Sequence, residues 1–79
     1  MDEVFTTLSN IPVGEKAIVC NILAKGKIRD RFLDLGIIKG TVIEVLRKSP
    51  FGDPIAYLIK GAVIALRNED AEKIIVNKS

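Results

Sequence analysis

The sequence predicts a small, mainly β barrel of about five short strands with one short helix. Five segments alternate apolar and polar residues or are rich in β-branched residues, and one segment has apolar residues at helical spacing. A chain of 79 residues is too short for a wide open sheet with both faces covered. Curling the strands into a barrel buries the strand edges and the apolar faces together.

The first predicted strand covers residues 15–23, where Ala17 and Val19 lie on one side of an alternating pattern. The segment before it, residues 8–14, is rich in turn-forming residues. Pro12 and Gly14 interrupt regular structure there, so we expect an irregular lead-in to the barrel.

The next segment changes to a helical period. Ile28, Phe32 and Leu35 fall at i, i+4 and i+7, which places them on one face of a helix. Gly36 follows where a left-handed cap residue is needed, because glycine has no Cβ to clash in that conformation. The pattern predicts a short helix over residues 27–35, with Leu35 and Gly36 in structural roles.

Four more strands are predicted, over residues 41–47, 55–59, 62–66 and 74–76. Residues 49–54 form a loop, because its two prolines cannot donate hydrogen bonds to a sheet. Lys60 and Gly61 separate two of the strands by the length of a tight hairpin turn. Asn68 is expected to cap a helical turn through Ala71.

Composition limits the classes of function. The 12 basic and 10 acidic residues leave a net charge of +2, so the charge gives no reason to expect a nucleic-acid partner. The N-terminus lacks the pattern of a secretion signal, and the longest apolar stretch, residues 55–66, is too short to span a bilayer. Cys20 is the single cysteine, which excludes an internal disulfide. We expect a reduced, cytoplasmic protein with one domain over residues 1–79.

No catalytic, cofactor-binding or metal site is expected. The chain has no histidine, which removes the commonest general base near neutral pH, and Cys20 in mid-strand is expected to be buried and inert. Carboxylates are the remaining ligand class for ferrous iron. Asp30 and Asp34 share a helical face, where ion pairs with neighbouring basic residues explain them more simply. Three further acids suit the N-terminus of a helix: Glu69, Asp70 and Glu72.

Short motifs occur in a fixed order along the chain: RFLDLG at residues 31–36, GT at 40–41, PFGDP at 50–54, G at 61 and ALR at 65–67. In this order they resemble the FeoA family, small cytoplasmic companions of the bacterial ferrous-iron transporter, over nearly the whole chain. Family members often have proline where this chain has Lys39. The resemblance implies an SH3-like barrel with the helix inserted after the first strand. It also implies a non-enzymatic, regulatory role in ferrous-iron uptake, in which the partner handles the iron.

The partner that the resemblance implies is the GTPase-bearing transporter FeoB, bound through its cytoplasmic GTPase domain or its membrane region. Six residues are predicted to contact it: Lys27, Arg29 and Arg31 by charge, and Ile37, Ile38 and Phe51 by apolar contact. The basic residues crowd the first turns of the helix, where the helix dipole disfavours cations, although a solvated helix face would also explain them. Phe51 either folds back on the barrel or projects as an anchor from its proline-stiffened loop. Unpaired strand edges would also allow self-association.

Two other classes of function stay open. An FeoA-like regulatory domain of a metal-dependent transcription regulator predicts a helix-turn-helix in the same native protein. A small nucleic-acid-binding barrel predicts steeply salt-dependent binding and an aromatic stacking platform. One tyrosine and three phenylalanines are few for such a platform.

Overall fold

The computed structural model describes residues 4–78, which form a mainly antiparallel β structure with two helices. The strands are β1 (Phe5–Thr7), β2 (Lys16–Ile22), β3 (Val42–Lys48), β4 (Ile55–Ile59), β5 (Ala62–Leu66) and β6 (Ile74–Lys78). The helices are α1 (Gly26–Asp34), between β2 and β3, and the short α2 (Asn68–Ala71), before β6. A 3-10 turn over Leu8–Asn10 follows β1.

The sheet has six strands in the order β1-β6-β2-β3-β4-β5, so the prediction of about five strands is one too low. The missed strand, β1, has three residues and pairs with the distant β6, with Phe5 opposite Asn77. Three residues are too few to show an alternating pattern, and the partner lies at the other end of the chain. The helix α1 therefore follows the second strand rather than the first.

Two β-bulges interrupt the ladders. The register of β2 against β6 shifts between Val19 and Asn21, and that of β3 against β4 shifts between Val45 and Arg47. A bulge bends its strand and increases the local twist. Both bulges lie in the middle of the sheet order, where added curvature helps the strands to wrap around a common core.

A single cluster of buried apolar residues draws on every strand except β1. Tyr57 and Phe32 are its largest fully buried side chains. On α1 only part of the predicted face is buried, because Phe32 is in the core, Leu35 packs against it partly exposed, and Ile28 remains exposed. The rest of the core comes from alternate positions of the strands and from the loops: Leu8, Ile11, Ala17, Val19, Ala24, Ile37, Ile43, Val45, Ile55, Ile59, Leu66, Ala71, Ile74 and Val76.

The hairpin between β4 and β5 is as tight as predicted. Its two turn residues, Lys60 and Gly61, have φ values of 49° and 83°. Positive φ at both central positions is the signature of a type I′ turn, which matches the twist of antiparallel strands. Glycine relieves the strain at the second position, and the hairpin prediction is confirmed.

The helical turn α2 lies where it is predicted, but its N-terminus is held differently. Asn68 is the first residue of the helix rather than its cap. Its backbone N–H donates to Oδ1 of Asp53 at 2.9 Å, so the carboxylate comes from a loop 15 residues earlier. The predicted cap residue is wrong because the sequence does not reveal which distant side chain reaches this helix end.

Candidate docking groove

A groove of about 510 Å³ lies between the end of β2, one face of α1 and the turn after α1. Three exposed apolar side chains line it, those of Leu23, Leu33 and Ile38. Three exposed basic residues also line it: Lys25, Arg29 and Lys39. We call these six residues the docking groove. An exposed apolar surface with a polar border is typical of sites where small proteins bind a partner.

Two of the groove residues come from the same face of α1. Arg29 and Leu33 are four residues apart, the spacing at which helical side chains are neighbours. The opposite wall is the segment after β2, which is fixed in two ways. The N–H of Leu23 donates to the carbonyl oxygen of Lys73 at 2.7 Å, and the next residue, Ala24, is buried in the core.

The third wall begins with the termination of α1. Gly36 has φ of 86°, and its N–H donates to the carbonyl of Leu33 at 3.0 Å, while the N–H of Ile37 donates to that of Phe32 at 2.9 Å. This is the Schellman pattern, which satisfies the last carbonyls of a helix and brings the residue after the glycine against the helix. Ile37 accordingly joins Phe32 in the core, and Ile38 emerges on the groove side with 42% of its surface exposed.

Thr41 closes this turn from below. Its hydroxyl donates to the carbonyl oxygen of Gly36 at 3.0 Å and accepts the N–H of Ile38 at 3.4 Å, and its side chain is buried. The backbone is tied to β2 on both sides, through Gly40 N–H to the Val19 carbonyl and Val19 N–H to the Thr41 carbonyl. The wall that carries Ile38 is thus bonded to the sheet.

We expect Thr41→Val to lower the free energy of unfolding by about 1–2 kcal/mol, because it removes two hydrogen bonds at a buried site while keeping the side-chain volume. Thr6→Val is the matched control, since the Thr6 hydroxyl accepts an exposed hydrogen bond from Asn10 and should matter little. Chemical denaturation measures both changes. Equal stability of the two variants would contradict this role of Thr41.

All the charged side chains that line the groove are basic. None of the groove-lining residues that the structure describes is acidic. The N-terminus of α1 opens beside Lys25 and Gly26, and within residues 4–78 no side chain caps it and no acidic residue occupies its first turn. Unsatisfied N–H groups and the helix dipole add positive potential to that of the basic side chains. The site therefore favours an anionic group.

The structure divides the six residues predicted to contact a partner. Arg29 and Ile38 lie together in the groove, whereas Lys27 and Arg31 are outside it. Residues two apart on a helix do not share a face, so Arg29 lies on a different side of α1 from Lys27 and Arg31. Arg31 instead approaches Asp70, with 3.8 Å between Nη1 and Oδ2.

Ile37 does not fit its predicted role. Its side chain is fully buried, with 0% exposure, so a partner cannot touch it in this conformation. The physical reason is the Schellman turn, which directs the residue after the cap glycine towards the helix that it terminates. The expectation of apolar contact in this segment therefore applies to Ile38 alone.

Phe51 projects from the loop between β3 and β4. Of the two outcomes considered from the sequence, the structure shows the second, because 96% of the side chain is exposed. The loop is closed by hydrogen bonds from Ser49 N–H to the Pro54 carbonyl and from Gly52 N–H to the Ser49 carbonyl. Phe51 does not line the docking groove, and it forms a separate exposed apolar point.

The acidic residues do not gather into a metal site. Within residues 4–78, no three His, Cys, Asp or Glu side chains are close enough to hold one ion. Asp30 and Asp34 form none of the ion pairs found in that range, contrary to the expected pairing. Asp70 is buried beside Arg31. Cys20 is partly exposed at the edge of the groove rather than buried, because it is the extra residue of the β2 bulge.

Four groove residues were not among the predicted contacts: Leu23, Lys25, Leu33 and Lys39. One of them carried a readable signal, since Leu33 follows Arg29 by four residues and must share its helical face. The other three lie in loops, and their position depends on how the loops pack.

Among residues 4–78, no helix is long and apolar enough to cross a membrane.

The family model described as the FeoA domain matches residues 6–78. A fusion of Fe(2+) transport protein A with the Fe(2+) transporter FeoB from Porphyromonas gingivalis is 36% identical over 67 residues. That match covers 85% of this chain and 8% of the fusion protein, so this chain spans only a small part of that relative.

Two solved structures are also similar. The FeoA protein of Chlorobium tepidum is 36% identical with a TM-score of 0.87, and the match covers 92% of this chain and 70% of that one. The FeoA of Stenotrophomonas maltophilia in complex with zinc, described as a prokaryotic SH3 domain protein, is 29% identical with a TM-score of 0.80. This match covers 90% and 88% of the two chains. The predicted SH3-like fold is confirmed.

Proposed function

Because this chain belongs to the FeoA family, we propose that it is a non-enzymatic accessory protein of ferrous-iron transport that acts by binding the transporter FeoB. The observation that carries the proposal is the docking groove, which combines exposed apolar side chains with three basic residues. The relative in which the two proteins are fused supports the choice of partner, since fusion is a common sign of functional association.

The proposed mechanism is differential binding. A module that binds one conformation of its partner more tightly than another shifts the population towards the bound conformation. Such a role needs a stable surface and no catalytic group. We place this action in the cytoplasm, with the chain held near the membrane through its partner. Iron itself is handled by the transporter in this proposal.

The test is a nuclear magnetic resonance titration of the isotopically labelled chain. Unlabelled partner is added in two forms, the GTPase domain of the cognate FeoB and the complete transporter in lipid nanodiscs. We expect the amide signals of Arg29, Leu33 and Ile38 to shift or broaden with at least one form. Lys27, Arg31 and Phe51, which stay predicted contacts, are followed in the same spectra.

The two forms separate the outcomes. Changes with the GTPase domain would locate the partner surface there, and changes with the nanodiscs alone would locate it in the membrane region. A spectrum unchanged by both forms at high partner concentration would refute direct binding to FeoB. Changes confined to Phe51 would keep the partner but move the contact to the tip of the loop.

A further inference from the structure

We propose that an acidic amphipathic segment of the partner protein occupies the docking groove. The apolar side chains of this segment contact Leu23, Leu33 and Ile38, and its carboxylates pair with the basic residues at the border. This inference rests on the proposed function and makes it specific. It names the chemistry of the segment that FeoB presents to the groove.

The charge of the groove selects for carboxylates. Lys25, Arg29 and Lys39 surround the apolar side chains, and none of the groove-lining residues in the described range is acidic. The uncapped N-terminus of α1 opens at the same place. A carboxylate there can accept backbone N–H groups that have no side-chain partner, and it also pairs with the neighbouring cations. Complementary charge of this kind selects the partner and accelerates association.

The apolar part of the groove requires a segment with two faces. Leu23, Leu33 and Ile38 come from three different parts of the chain, yet all three are exposed around one concavity. A purely acidic peptide would leave these side chains in contact with water. An amphipathic segment covers them with its apolar face, and its acidic residues then lie at the border, where the cations are.

A basic and apolar surface also attracts anionic membranes. A protein segment is favoured because the apolar side chains line a concavity of about 510 Å³, which a helix or an extended peptide can fill. Insertion into a bilayer needs apolar groups that protrude towards the lipid. A groove instead encloses a rod-like object such as a helix or an extended peptide.

The experiment measures binding of the full chain to the cognate transporter in nanodiscs of uncharged lipid at two salt concentrations. The groove variant is Arg29→Glu with Lys39→Glu. The matched control, Arg47→Glu with Lys48→Glu, reverses one arginine and one lysine that are also exposed but lie outside the groove. We expect the groove variant to bind at least about tenfold more weakly and to lose most of the salt dependence. The control should bind as the unaltered chain does.

An apolar pair of variants tests the other half of the proposal. Leu33→Ser should weaken binding, while Val63→Ser, at an exposed position on β5, should not.

The rate of alkylation of the single cysteine adds a local readout, because Cys20 borders the groove. Its alkylation by iodoacetamide should slow when the transporter is bound to the unaltered chain, and much less with the groove variant.

The outcomes separate this inference from the proposed function. If the unaltered chain binds the transporter and both charge variants bind as tightly as it does, the proposed occupant of the groove is wrong while the proposed function stands. If the unaltered chain does not bind the transporter at all, both are wrong. Binding to vesicles of equal parts phosphatidylcholine and phosphatidylserine, abolished in the groove variant, without binding to the nanodisc transporter, would replace the protein segment by a lipid surface.

Discussion

Ile37→Ala is expected to lower the free energy of unfolding by about 2–5 kcal/mol, because the side chain is fully buried against the core and its removal leaves a cavity. At typical values per residue, a folded chain of 79 residues has a total stability of about 4–12 kcal/mol. The substitution therefore removes a large share of the stability. Chemical denaturation with a fluorescence-independent signal such as circular dichroism measures the change.

The adjacent residue provides the control. Ile38→Ala changes the same side chain one position later, where 42% of the surface is exposed, and should cost less than about 1 kcal/mol. For partner binding the order should be reversed. Ile38→Ala should weaken binding more than Ile37→Ala does, since only Ile38 lines the groove. Equal losses of stability would mean that the core boundary does not run between these two residues.

Alkaline pH should produce the second large effect, through Tyr57. Burial and, to a smaller extent, the negative charge of Asp53 raise the pKa of Tyr57 from 10.0 to about 12. Between these values the unfolded chain releases the phenolic proton while the folded chain keeps it. Unfolding is therefore favoured as pH rises through this window, by about 2–3 kcal/mol in total. Below pH 10 the contribution is fully present.

The Tyr57→Phe variant isolates this effect from other groups that titrate at high pH. Among residues 4–78, no group hydrogen-bonds the buried Tyr57 hydroxyl, so its removal should leave the stability at neutral pH unchanged or slightly increased. The difference in stability between the two proteins should then shift in favour of phenylalanine above pH 10. Because the chain has one tyrosine and no tryptophan, phenolate absorbance reports Tyr57 directly, and ionisation near pH 10 would contradict the prediction.

Local patterns were sufficient for most of the secondary structure. The β4 and β5 ranges, the tight turn at Lys60 and Gly61, and the helix that ends before Gly36 all follow from signals within a few residues of each other. Structural features that depend on residues far apart in the sequence could not be predicted from these local patterns. The strand β1 exists because β6 is beside it, and the N-terminus of α2 is bonded by Asp53 from another loop.

Only part of the docking groove was predicted from the sequence. Arg29 and Ile38 were chosen for charge and apolarity, and they do meet in the groove. Lys27 and Arg31 lie on another side of the helix and stay predicted contacts outside the groove, whereas Ile37 is folded inward. The burial of Ile37 was predictable, since the cap glycine that the sequence revealed also determines the direction of the next residue.

The contrast between Ile37 and Ile38 has a kinetic consequence. One peptide unit joins a core residue to a groove residue, so the wall of the groove cannot shift without disturbing the packing inside. A partner should therefore meet a receptor that is already in its bound shape, and the chain loses little conformational entropy on association. Any ordering must take place in the incoming segment, and differences in affinity between partners should appear mainly in their dissociation rates.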